Sequence, residues 1–198
     1  MKANEVRIVG GAWRSRRIRF APRDGLRPSP DRVRETLFNW LGQDLTGLTC
    51  LDLFAGSGAL GFEAASRGAS RVVMVERDRP AFEALRENRD ALGAGQVELV
   101  KADALEFVRS DGGAYDVIFL DPPFDSDYWP RLIPLLPPRM KGEGWVYGES
   151  GSRLDWPAGW DVRKQGRAGQ VKFQLLKRTH HEPHGGLPGD IRPDHAGS

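Results

Sequence analysis

Asp121, Pro122, Pro123 and Phe124 place a carboxylate, two rigid rings without N–H groups and an aromatic face in four consecutive positions. They close the apolar run Tyr115-Asp116-Val117-Ile118-Phe119-Leu120, which reads as a buried strand. In an open α/β sheet the loops at the carboxyl ends of the strands hold the ligands. The prolines restrict the backbone, so the Pro122 carbonyl is left to accept a hydrogen bond from a bound molecule. A carboxylate, a carbonyl and an aromatic face together suit a flat base that carries an exocyclic NH2. The competing reading is a Pro-Pro turn that ends a strand, with Asp121 capping the next helix.

A second constellation lies upstream. Cys50-Leu51-Asp52-Leu53-Phe54 reads as a strand and runs into Ala55-Gly56-Ser57-Gly58-Ala59-Leu60-Gly61. The glycines form Gly-x-Gly-x-x-Gly, and Glu76 stands where an acid takes a ribose hydroxyl pair, so on spacing alone a dinucleotide site fits. Asp52 argues for a different ligand. An acid inside a buried strand needs a reason, and a pyrophosphate gains nothing from a carboxylate while a cation does. Asp103, in Lys101-Ala102-Asp103-Ala104, follows the third strand and either faces the ligand, caps the helix from Ala104, or does both. Asp78 reads as the cap before a helix at Pro80 and is not assigned to the ligand.

The elements that must position these groups alternate from residue 49 onward. Strands are expected near 50–54, 71–76, 97–100, 115–120, 144–149, 160–165 and 171–176, with helices near 59–66, 80–92, 104–109 and 128–136. Such alternation implies a mostly parallel sheet with helices on both faces, and the last two strands form an antiparallel hairpin at its edge. Upstream, Arg7-Ile8-Val9 and Arg17-Ile18-Arg19-Phe20 read as a short hairpin. Ser29-Pro30 then supplies a cap and a first-turn proline for a helix whose face is Val33, Leu37, Trp40 and Leu41. The chain thus divides into a basic extension over 1–44, a catalytic domain over 45–178 and a tail over 179–198 that lacks an apolar period and is expected to be disordered.

Composition narrows the chemistry. The net charge of +2 hides Lys2 and nine arginines against Glu5, Asp24 and Asp31 in residues 1–34, a local excess of +7 on a body of −5. A basic arm rich in arginine suits a polyanion, with solvated surface as the bland alternative. Cys50 is the only cysteine, which excludes an internal disulfide and a cysteine zinc site; it reads as a small core residue in a reduced, cytoplasmic protein. All four histidines lie in the tail, so none serves the body as general base or metal ligand, and no metal is expected. No apolar stretch reaches the ~18 residues of a membrane span, and the N-terminus lacks the apolar core of a secretory signal.

Taken together, Arg7-Ile-Val-Gly-Gly11, Arg27-Pro28, Arg32-Val-Arg-Glu-Thr-Leu-Phe-Asn-Trp-Leu41, Leu51-Asp-Leu-Phe-Ala-Gly-Ser-Gly58, Asp121-Pro-Pro-Phe124 and Gly169-Gln-Val171 resemble the RsmD-type family of bacterial small-subunit ribosomal RNA guanine-N2 methyltransferases. Ser15 and Ser29 depart from the residues expected there. The resemblance implies a Rossmann-like class I methyltransferase fold of seven strands with S-adenosylmethionine as cofactor and S-adenosylhomocysteine as product. It places Asp52 near the cofactor's methionine end, Glu76 on its ribose and Asp103 at its adenine, with Phe54, Gly56, Gly58 and Ala104 also binding the cofactor. Asp121 and Pro122 then hold the guanine amine and Phe124 stacks on a base drawn out of its stack. Arg7, Arg14, Arg16, Arg17 and Arg19 are expected to grip RNA phosphates, and Arg27, Arg32 and Arg34 to orient RNA near the pocket, with surface pairing to Asp31 or Glu35 as the other reading of the last three. The partner implied is 16S ribosomal RNA, in the small subunit or an assembly intermediate, met by a monomer.

Three other functions compete. A DNA adenine-N6 methyltransferase uses the same tetrapeptide, but about 45 residues of arm are few for major-groove readout on top of base flipping. A nicotinamide oxidoreductase fits the glycines and leaves Asp121-Pro-Pro-Phe124 unexplained. A non-catalytic RNA-binding assembly protein leaves Asp52, Glu76 and Asp121 without a purpose.

Overall fold

In a computed structural model, residues 4–22, 28–124, 126–152 and 154–179 are described. The expected tail after Thr179 and Arg27 therefore lie outside the described residues. The chain opens with β1 (Asn4–Arg7) and β2 (Arg17–Phe20), an antiparallel pair, followed by α1 (Asp31–Leu41). The alternating part runs β3 (Thr49–Asp52), α2 (Ala59–Ser66), β4 (Arg71–Val75), α3 (Arg79–Leu92), β5 (Val97–Val100), α4 (Ala104–Ser110), β6 (Tyr115–Leu120) and α5 (Tyr128–Leu132). It ends with β7 (Met140–Ser150), β8 (Trp160–Ala168) and β9 (Val171–Arg178). Seven strands form one sheet in the order β5-β4-β3-β6-β7-β9-β8, parallel except for the antiparallel β7-β9 and β9-β8 pairs. This is the Rossmann-like methyltransferase architecture expected from the alternation.

β3 and β6 lie side by side while the chain proceeds from β3 toward β4 and β5 on one flank and from β6 toward β7 on the other. The crevice at that reversal is where such sheets bind ligands. Both strands point their carboxyl ends into it, with Asp52 at the end of β3 and Asp121 one residue past β6.

α2 explains how the basic hairpin is held. Every residue of this helix is buried, including Glu63 and Ser66. Its inner face meets the sheet, and Val6, Ile8, Ile18 and Phe20 of the hairpin share one apolar cluster with α1 and α2. The two polar side chains serve the hairpin's backbone. Glu63 accepts from Val9 N–H at 2.8 Å, and Ser66 Oγ accepts from Trp13 N–H at 2.9 Å and donates to the Gly10 carbonyl at 2.6 Å. Gly11, at φ +74°, comes so close that a β-carbon there would sit 1.9 Å from the Ser66 carbonyl oxygen. Asn88 of α3 binds Arg19 from the other side, accepting from its N–H at 3.0 Å and donating to its carbonyl at 2.6 Å.

Some boundaries differ from expectation for local reasons. The first strand ends at Arg7 rather than covering 7–9, because Glu63 claims the Val9 N–H. α5 stops at Leu132 and gives way to 3-10 turns over Ile133–Leu135 and Pro137–Arg139. Pro134 and Pro137 lack the N–H groups a continuing helix needs. Ser29 does not cap α1, since its hydroxyl points instead to Glu149. The expected cap at Asp78 is present, accepting from Ala81 N–H at 3.1 Å. Cys50 is buried in the core, where loss of solvent pushes its thiol up to about 12. No helix among the described residues is long and apolar enough to cross a membrane.

Candidate active site

The loop after β3 is built to bring backbone close to a ligand. Gly58 caps α2 in the left-handed region, at φ +81°, where a β-carbon would lie 2.6 Å from the Phe62 ring and 2.7 Å from Leu85. Gly56 N–H donates to Glu76 Oε2 at 2.9 Å, and Asp78 N–H donates to Glu76 Oε1 at 2.7 Å. Glu76 thereby ties the glycine loop to the end of β4.

Asp52 is 1% exposed and has half of its carboxylate committed. Oδ2 accepts from Gly61 N–H at 3.0 Å, whereas Oδ1 is buried without a hydrogen-bond partner. Burial raises this carboxyl from 3.8 to about 7 against the pull of the Gly61 and Phe54 N–H groups, with Glu76 and Glu149 adding to the rise. A buried carboxylate oxygen left over at a ligand loop suits a cation that arrives with the ligand.

Asp121 and Asp52 line the same small open cavity of about 50 Å³, together with Pro28, Ser29, Phe54, Gly56 and Ser57. Its carboxyl is raised well above the usual range by burial, then by Glu149 and Asp52. Pro122 is buried behind it. Phe124 is 52% exposed, and its ring stands beside Gly151 rather than in the core. An exposed aromatic ring three residues from Asp121 offers a stacking surface.

The opposite wall comes from α4 and α5. Asp103 caps α4, accepting from Leu105 N–H at 2.9 Å, and its other oxygen accepts from the Tyr128 hydroxyl at 2.6 Å. Partial burial raises this carboxyl, but Tyr128, the Leu105 and Glu106 N–H groups and Arg77 together hold it below its ordinary value. Phe54 meets the Tyr128 ring edge-to-face at 4.9 Å, and Ala104 is buried at the start of α4. Of the two sequence readings of Asp103, the helix cap is present.

The arginines divide by burial. Arg14 and Arg32 are exposed; Arg7 is exposed and reaches Asp31 at 2.8 Å. Arg17 and Arg19 flank Glu5 at 3.1 and 3.4 Å, and Arg16 donates to the Ala91 carbonyl at 2.9 Å. Arg34 corrects the expectation of an RNA-facing residue. It is 1% exposed and donates to the Ser29 carbonyl at 2.7 Å, to Asp31 at 2.8 Å and to the Arg7 carbonyl, with Glu63 4.0 Å away. A guanidinium so enclosed fastens the hairpin and α1 to the body and has no face left for phosphate.

Sequence reasoning missed Glu149. It is 2% exposed on β7, and its Oε1 accepts from Tyr147 OH at 2.8 Å and from Ser29 Oγ. Burial raises its carboxyl, while Ser29, Tyr147 and Arg34 pull it down. The signal was available in the same form as at Asp52, an acid inside the apolar run Trp145-Val146-Tyr147-Gly148-Glu149. Among the described residues no cluster of three or more His, Cys, Asp and Glu side chains gathers around a metal-sized space.

The family model described as conserved hypothetical protein 95 matches residues 6–177. The chain is 39% identical over 181 residues to "Ribosomal RNA small subunit methyltransferase D" of Escherichia coli K12, covering 89% of this chain and 91% of that one. The protein of the same name in Haemophilus influenzae is 38% identical, with coverage of 87% and 94%. Among solved structures, "Putative methyltransferase yhhF from Escherichia coli" superposes with a TM-score of 0.80 at 41% identity, over 88% of this chain and 98% of that chain.

Proposed function

Since the chain belongs to the family described as conserved hypothetical protein 95, the RsmD family, we propose that it transfers a methyl group from S-adenosylmethionine to the N2 amine of a guanine in small-subunit ribosomal RNA. One observation carries the reading. Asp52, with an unpartnered buried oxygen, and Asp121, with the exposed Phe124 beside it, converge at the reversal of the sheet.

The residues present fit the cofactor. Asp52 Oδ1 supplies a negative partner for the cationic methionine end, and Gly56 and Gly58 let the backbone approach it. Glu76 stands at the end of β4 for the ribose, and Phe54, Asp103 and Ala104 form the wall for the adenine. When bound, the cofactor supplies an electrophilic methyl group.

The chain's own part is positioning. The guanine N2 lone pair is delocalised into the ring and is a weak nucleophile. Hydrogen bonds from its N–H groups to the Asp121 carboxylate and the Pro122 carbonyl draw the nitrogen toward tetrahedral geometry, leaving the lone pair to form the new N–C bond. One N2 proton then leaves to Asp121 or to water, so no strong general base is required. Phe124 stacks on the splayed base, a contact worth roughly 1–3 kcal/mol. The exposed arginines of the hairpin grip phosphates, which makes binding salt-dependent. The protein acts as a cytoplasmic monomer on ribosomal RNA in a particle, since so small an arm gains from an assembled surface.

The test is nucleoside mass spectrometry after incubation with S-adenosylmethionine and unmodified small subunits, naked small-subunit RNA or duplex DNA. N2-methylguanosine from either RNA sample is the expected product. N6-methyladenine in the DNA overturns the substrate, and no methylated nucleoside in any arm overturns the enzyme.

A further inference from the structure

The hairpin of β8 and β9 has two unlike faces. On one, Phe173 packs against Trp40 of α1 with ring centroids 5.4 Å apart, and Leu175 is buried. On the other lies a groove of about 770 Å³, whose lining includes Trp156, Trp160, Gln165, Arg167, Lys172 and Gln174. Register explains its polarity. Gln165 pairs with Gln174 and Arg167 with Lys172, so strand alternation puts all four side chains on the groove side. Two cations directly opposite each other repel, and an anion laid across them removes that cost.

The floor is aromatic and held in place. Trp156 and Trp160 have centroids 5.3 Å apart, Trp129 meets Trp156 at 5.7 Å, and Trp156 Nε1–H donates to Gln174 Oε1 at 2.9 Å. One end of the groove lies near Phe124. Ser150 of its lining follows Glu149, and the next residue, Gly151, backs onto the Phe124 ring. Across residues 160–178 six basic side chains, Arg163, Lys164, Arg167, Lys172, Lys177 and Arg178, stand against Asp161. Asp155, itself partnered, is the acidic member of the lining.

We infer that this groove holds a single-stranded RNA segment flanking the nucleotide at Phe124, with Arg167 and Lys172 on phosphates, the Trp156–Trp160 pair as stacking surface and the two glutamines at base edges. Cations tracking a backbone beside aromatic faces are how single strands are bound. A protein partner would meet an apolar centre, where lysine is depleted. The inference rests on ribosomal RNA as substrate and places a second RNA contact on the sheet edge opposite the N-terminal hairpin's arginines in the sequence.

The experiment uses the full chain, a fluorescein-labelled single-stranded RNA of mixed sequence, and anisotropy titrations from 50 to 300 mM salt, a range chosen for the design. Arg167→Gln/Lys172→Gln should weaken binding about tenfold and flatten the log–log salt slope by about 1.4, since each lost phosphate contact on a single strand contributes ~0.7. Its S-adenosylhomocysteine affinity should stay unchanged and its thermal midpoint should not fall, since the variant removes two opposed cations. Trp160→Leu, which keeps an apolar side chain but removes the aromatic face, should weaken binding at least about fivefold without changing the salt slope. Unchanged affinity and slope in the double variant overturn the inference. So does a defect confined to assembled subunits, which would assign the groove to a protein. Salt-dependent binding by the unaltered chain without methyl transfer to any RNA would defeat the proposed reaction and leave the groove standing.

Discussion

Asp52→Asn should make the ligand-free protein more stable and cofactor binding weaker. Asp52 is fully enclosed and its carboxyl rises from 3.8 to about 7 on folding. At 1.36 kcal/mol per pH unit, that displacement corresponds to roughly 4 kcal/mol. The folded state holds the proton more tightly than the unfolded state, so stability falls as pH climbs from 3.8 to about 7, and the full cost applies above that range. Asparagine keeps an acceptor for the Gly61 N–H and carries no charge at any pH. The variant should therefore gain up to about 4 kcal/mol at pH 8 and less than about 2 at pH 5, as the same linkage requires. For a chain of this size ~1 kcal/mol moves the thermal midpoint by ~2–4 °C, so a rise on the order of 10 °C is expected at pH 8. Thermal unfolding at the two pH values reads the effect, and calorimetric titration with S-adenosylhomocysteine should show at least about a tenfold loss of affinity, the cost of removing one charged partner. A variant less stable than the parent at pH 8, or a gain equal at both pH values, would refute the picture of Asp52 as a charge kept at the expense of stability.

Asp121→Ala should cost on the order of 100-fold or more in methyl-transfer rate, as loss of one preorganised hydrogen-bonding group does, with S-adenosylhomocysteine affinity little changed in the same calorimeter. Gly58→Ala should destabilise the fold by about 2 kcal/mol or more in urea titration, because the residue sits at φ +81° with the Phe62 ring 2.6 Å from a β-carbon. Arg34→Met should lower stability by about 3 kcal/mol or more in the same titration, since it removes the enclosed guanidinium 4.0 Å from buried Glu63 and leaves the Ser29 carbonyl without its donor. Normal stability with weakened RNA binding would instead return Arg34 to the RNA surface.

The parts of the molecule that were legible in the sequence are those whose cause is local. The strand ending in Asp121, the glycine loop after Asp52 and the Asp78 cap are each specified by a handful of consecutive residues, and each stands where its pattern put it. Contacts across the chain were not legible. Ser29 precedes a proline and an aspartate as a helix cap would, yet a buried carboxylate 120 residues away takes its hydroxyl. Arg34 belongs to a basic run and reads as surface, and only the closure of the hairpin over α1 and α2 shows that it is enclosed. Burial of a charge depends on what covers it, and a single sequence does not state that.

The buried outer face of α2 also limits how this protein could be taken apart. A fragment beginning at residue 45 would carry the glycine loop and Asp121, yet it would strip Glu63 Oε2 and Ser66 Oγ of the hairpin groups they bind and uncover part of the apolar cluster the hairpin completes. The hairpin cannot be transplanted to another methyltransferase as a detachable grip either, because α2 and α3 of this one hydrogen-bond its backbone at Val9, Gly10, Ala12, Trp13 and Arg19. New RNA specificity would have to be engineered on the exposed arginine side of the hairpin, with its inward side left untouched as if it were core.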